Sequence, residues 1–175
     1  MFWLNIVAKF IKVLRAGETP RQIAAGFGFG YLIGLMPFWT LQGILLFFVM
    51  FLLNINLAAG TLAIVICSIS AYLLDPIFHH LGYFILAQIP ALHGFWETLY
   101  NLPVAPLTRF NNTVVMGSLV VGLISVFPVY LAMKKFVISY RSGLEERIKK
   151  WKVVQLILGS KIYQWYEKIS NLGGA

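Results

Sequence analysis

Between Gln22 and Leu74 the chain carries no Asp, Glu, Lys or Arg. A single membrane-spanning helix needs only ~20 residues, and this uncharged stretch is far longer. It excludes a soluble core and predicts a polytopic membrane domain. Charge is scarce elsewhere too: 11% of the 175 residues are charged, 59% are hydrophobic, and the mean hydropathy is +0.80. Soluble domains carry about 25% charged residues. The one cysteine, Cys67, cannot form an intrachain disulfide and reads as a small packing residue. There is no Ser-His-Asp pattern, no acidic pair for acid–base work, and no glycine-rich phosphate loop after a strand. The sequence therefore predicts no enzyme, no catalytic residue, no cofactor and no metal.

What is present is basic and aromatic. The formal net charge is +8, with the basic residues gathered at the two ends. That placement excludes nucleic acid as a partner and points to a bilayer with anionic lipids. Segment 1–17 reads as an N-terminal amphipathic helix. Phe2, Trp3, Ile6, Val7, Phe10, Ile11 and Leu14 share one side; Asn5, Lys9, Lys12 and Arg15 share the other. Its interleaved charges do not match a cleavable signal peptide. Segment 134–175 reads as a basic cytoplasmic helical tail, with a second interfacial helix in its last part. By the positive-inside rule both ends are cytoplasmic.

The membrane domain, 18–133, divides further. Thr19 and Pro20 suit the cap and first position of a helix. That helix carries Gly26, Gly30 and Gly34 at four-residue spacing, a groove suited to close packing within the chain, to docking, or to homo-oligomer formation. Gly34 to Trp39, centred on Pro37, breaks it. The apolar pieces on either side are short, so 20–53 predicts a broken hairpin, either re-entrant or two short spans. Next come a span at 57–74, a break at Asp75-Pro76, a re-entrant or surface segment at 76–110, and a span at 111–133 capped by Asn111 or Asn112. The expected class is an all-α integral membrane protein of about four short or broken helices, flanked by interfacial helices. Pro37-Phe38-Trp39 to Gly43 and Pro76-Ile77-Phe78 to Gly82 form a short internal echo, of the kind broken-helix transporters carry.

Candidate functional residues are few. Asp75 is the one acid near the apolar interior; it reads either as a proton, cation or Arg109 partner, or as the cap of a helix starting at Pro76. Thr40 and Gln42 follow the first break and can hydrogen-bond there. His79 lies one helical turn beyond Asp75, but two ligands do not make a metal site.

From Pro20 onward the residues take a recognisable form. Pro20-Arg21-Gln22-Ile23-Ala24-Ala25-Gly26-Phe27-Gly28-Phe29-Gly30, then Gly34, Pro37, Gln42 and Asn56, resemble the motif of a widespread family of small bacterial membrane proteins of uncharacterised function. The family usually carries Asn-Pro in its second half; Asp75-Pro76 stands in that place. Ala71 to Pro76 and Thr108 to Ser118 resemble one subfamily more closely. The resemblance covers most of 20–140 and implies a bacterial inner-membrane protein. It brings no activity, so no catalytic residue carries over. The subfamily likeness implies a large envelope protein as partner.

Two functions follow as expectations. The first is a non-enzymatic inner-membrane component that docks with, or helps assemble, an envelope or lipid-handling complex through its glycine-lined helix faces. The alternative is a small transporter or lipid flippase built on broken helices around Asp75. A lipid-modifying enzyme using Asp75 and the histidines ranks last. A polar cavity joining the two breaks would favour transport.

Overall fold

The computed structural model describes residues 18–144, together with Ile6, Lys9 and Val13. Among the described residues all regular structure is helical. The α-helices are α1 (Pro20–Leu35), α2 (Leu41–Leu52), α3 (Leu57–Ala87), α4 (His93–Tyr100) and α5 (Thr113–Ser139), with 3-10 turns at Pro90–Leu92 and Ala105–Thr108. Two of these are long and apolar enough to cross a membrane: α3, and α5 with the turn that continues it to Gly143. Within their most apolar windows only 33% and 28% of the residues are buried in the chain. The core helix of a soluble protein would be mostly buried, and soluble monomers rarely expose so large an apolar patch.

The chain forms two compact units, 18–134 and the two ends, 1–17 with 135–175. In the latter, Val13, Val137 and Tyr140 are buried, and Gly143 at φ 138° ends the helical path. The amphipathic helices expected at the two ends otherwise lie outside the described residues.

The unit 18–134 is assembled by backbone approach. Thr19 and Gln22 form a reciprocal capping box at the start of α1, with Pro20 in its first turn. Along α1, Gly26 lies against the Asn56 carbonyl, Gly30 against Gly60 and Ala63, and Gly34 against Ile64 and Cys67. Both sets of numbers rise together, so α1 and α3 run parallel. A Cβ on Gly34 would stand 2.8 Å from the Cys67 Cβ, too close for any side chain to fit. The two helices also start together: the Asn56 N–H donates to the Gln22 carbonyl (3.1 Å), and the Gln22 amide donates to Asn54 Oδ1 (2.9 Å). The opposite face of α1 meets α5 with the numbers running against each other. Gly28 faces Val126 and Tyr130, Leu32 meets Gly122, and the Tyr31 and Ser125 hydroxyls share a hydrogen bond of 2.7 Å. Farther along, α3 and α5 form a second glycine seam, with Gly82 on the Thr113 backbone and Gly117 on the Phe78 backbone.

Between α1 and α2 the chain leaves helical geometry at Met36 and regains it after Thr40. The Thr40 hydroxyl accepts from the Gly43 N–H (3.2 Å) and donates to the Pro37 carbonyl (3.1 Å), which closes the break from inside. Met50 of α2 reaches Gly60 of α3, so the hairpin returns to the end where α1 began. Outward, α2 shows Trp39 just ahead of it, then Phe48 and Leu52, all well exposed.

One expected boundary is corrected. The chain does not break at Asp75-Pro76: α3 runs unbroken through Pro76 to Ala87, so the span expected at 57–74 and the start of the segment expected at 76–110 are one helix. Pro76 is exposed, so its ring meets no packed neighbour. The residues just beyond it, Phe78 and Gly82, are locked on α5. Packing on a neighbouring helix holds a helix through proline.

Candidate functional site

The break between α1 and α2 stops abreast of the middle of α3. Between them lies an open cleft of about 270 Å³. Gly34, Met36 and Pro37 form one wall; Ser68, Tyr72 and Asp75 form the other. The glycine seam sets the separation of these walls, since Gly34 draws the end of α1 onto Ile64 and Cys67 just before the chain turns away.

Asp75 lies inside α3, so it does not cap a helix. Its carboxylate has neither an ion pair nor a hydrogen-bond donor among the described residues, and no ion pair joins it to Arg109. Such a carboxylate on an apolar helix is left to interact with whatever enters the cleft. His79 is committed elsewhere: its Nδ1 shares a 2.7 Å hydrogen bond with the Thr113 hydroxyl, at the seam with α5. Among the described residues no group of three His, Cys, Asp or Glu could hold a metal.

Gln42 is not in this cleft. Its amide nitrogen donates to the Thr108 carbonyl (3.0 Å), tying the first turn of α2 to the 3-10 turn before α5. Its Oε1 is buried without a partner, an acceptor whose desolvation of about 1–3 kcal/mol is uncompensated. Arg109 follows that turn in left-handed geometry, φ 53°, with its side chain exposed. Of the candidate residues, then, the structure brings together Gly34, Pro37 and Asp75. Gln42, His79 and Arg109 lie at other contacts. Gly26 and Gly30 lie against α3, and Gly28 against Val126 and Tyr130 of α5.

Asn56 matters more than the sequence reading allowed, and Thr40 makes the hydrogen bonds expected of it at the break. Asn56 is 3% exposed and caps α3, its side chain accepting from the Ala59 N–H at 2.5 Å. Thr40, 1% exposed, closes the break. The signal for each was an Asn or Thr placed directly before an apolar helix.

A protein of Treponema pallidum (strain Nichols), described as "Uncharacterized protein", is 30% identical over 145 residues, which cover 83% of this chain and 89% of that relative. No solved structure matches the chain. The model of the family described as "Uncharacterized protein conserved in bacteria (DUF2062)" matches residues 6–143, and the chain belongs to that family.

Proposed function

We propose that the protein is a non-enzymatic component of the bacterial inner membrane that takes an amphiphilic molecule into the cleft between the α1–α2 break and Asp75, as a small transporter or lipid flippase does. The single observation that carries this is the cleft itself. It opens from the helix break onto an acid that has no partner among the described residues. An ionisable group in an apolar membrane segment costs several kcal/mol by most estimates, so an acid kept there points to a use. In this reading α1 and α2, 16 and 12 residues, form a re-entrant hairpin. At 1.5 Å per residue they reach roughly 24 and 18 Å, short of the ~30 Å hydrocarbon core.

The docking reading rests on glycine-lined helix faces, two basic interfacial helices and a scarcity of polar groups. The α1 glycines lie against α3, so along α1 to α3 a partner would meet the apolar outer surface of α2 and α3, which lipid covers equally well. Substitution of Gly30 does not separate the two functions, because it strikes the fold first.

The test is dithionite quenching of fluorescently labelled phospholipid in proteoliposomes holding the full chain. Transbilayer movement is expected in the wild type and lost in Asp75→Asn, with both proteins eluting alike from size exclusion. Movement that is absent, or unchanged in Asp75→Asn, overturns the proposal. A stoichiometric envelope protein that co-purifies equally with wild type and Asp75→Asn would return the weight to docking.

A further inference from the structure

Asp75 and Glu97 are the only acids between positions 19 and 144, and each lines a cleft. The second cleft, about 330 Å³, lies at the far end of α3, where the chain turns back through α4. Its walls are Leu86, Trp96, Tyr100 and Phe110, and Glu97, Asn101 and Asn111 supply the polar atoms.

The aromatic wall is held in place. The Trp96 indole N–H donates to the Ile85 carbonyl (3.3 Å), and its ring packs on Phe110 with centroids 5.9 Å apart at 31°. Phe95 abuts Trp96 edge-on at 4.9 Å. Phe110 is buried while Tyr100 is 55% exposed, so the cleft has a fixed floor and an accessible side. The Asn101 amide donates to the Glu97 backbone carbonyl (2.9 Å) and braces the end of α4. The Glu97 carboxylate itself has no ion pair or hydrogen bond among the described residues.

Aromatic faces carry negative potential, and a carboxylate beside them adds a full charge. A metal ion would need several oxygen ligands, and one carboxylate is not enough. A sugar would need a ring of fixed polar partners, and these walls are largely apolar. A weakly hydrated organic cation satisfies both features. We infer that this cleft binds a methylated, quaternary ammonium group, of the kind that some lipid headgroups and free methylated amines carry. It shares no lining residue with the cleft at Asp75 and does not depend on the proposed transport.

The same ammonium can arrive free or on a zwitterionic lipid. A lipid brings a phosphate as well. Arg109 is not among the residues that line the cleft, but it adjoins Phe110 in the chain and has no ion-pair partner among the described residues, so it is the cation to test as the phosphate's partner.

The experiment uses the full chain, labelled with 5-fluorotryptophan, in phosphatidylglycerol nanodiscs, which offer no ammonium headgroup. Trp96→Phe serves only to assign the Trp96 resonance. Tetramethylammonium chloride is titrated against matched sodium chloride. A saturable shift at Trp96 is expected, weakened about ten-fold in Glu97→Gln and reduced in Tyr100→Leu. Both replacements are at exposed positions, and unchanged resonances from the other tryptophans report that the fold is kept. No saturable shift, or one equal in wild type and Glu97→Gln, overturns the inference. Dihexanoylphosphocholine separates the sources. Tighter binding than tetramethylammonium, with the gain lost in Arg109→Gln, assigns the site to lipid headgroups. Equal binding assigns it to free amines.

Discussion

At the scale of single residues, the glycines of α1 are fixed by contact. Gly30 lies so close to the Gly60 carbonyl that a Cβ would overlap it, and the Ala63 Cβ would be 2.8 Å away. Neither neighbour is the free end of a flexible side chain, so the two helices would have to separate. Gly30→Ala should therefore lower stability by several kcal/mol, within the range seen for forced overpacking or beyond it. Gly94, in the first turn of α4, has nothing within 4 Å of its would-be Cβ. Gly94→Ala should leave stability unchanged or raise it by up to about 1 kcal/mol. Thermal unfolding of both variants in one mild detergent, followed by circular dichroism, makes the comparison. Similar losses in both would mean that the seam with α3 is not where the close packing lies.

At the scale of elements, local chemistry was legible and its tertiary setting was not. Thr19, Pro20 and Gln22 act within one turn of each other, so their capping role can be read from the chain alone. The break after Leu35 was legible for the same reason: Pro37 restricts Met36, and no packed neighbour is needed to explain it. Pro76 gave the same local signal and the opposite outcome. What differs is the neighbour, the seam of Phe78 and Gly82 on α5, which lies more than 30 positions away in the chain and is invisible to a local reading. The glycine spacing foretold a close-packed face, but not which helix would cover it. The cleft at Asp75 was half legible: the break and the acid could each be named, but that α1 ends abreast of the acid follows only from the parallel run of α1 and α3. Pro76→Ala tests the continuity of α3. The substitution restores an N–H that can reach the Tyr72 carbonyl, so stability to denaturing detergent should rise, by at most about 3 kcal/mol. A loss of stability would mean that α3 is broken there.

At the scale of the whole molecule, the proposed orientation follows from the excess of Lys and Arg at both ends and places the segment around α4 on the outer side of the inner membrane. In a Cys67→Ala background, Leu102→Cys should react with a membrane-impermeant maleimide in intact spheroplasts. Glu18→Cys should react only after the membrane is opened. The reverse pattern would invert the protein, and reaction at both positions in intact spheroplasts would put both segments on the outer side and overturn the proposed crossings. Leu102 is 49% exposed, so a failure to label would not come from burial within the chain.

The clasp between Gln22, Asn54 and Asn56 also bears on how the protein is made. α1 leaves the ribosome before α3, yet the surface that covers its glycine face, and the N–H that meets its Gln22 carbonyl, belong to α3. Until residues near Ala63 have been synthesised, α1 has no seat, and a helix this short holds poorly in a bilayer alone. In the proposed membrane placement α1, α2 and α3 then enter as one cooperative group, with the insertion machinery sheltering the α1–α2 hairpin while α3 is still being translated.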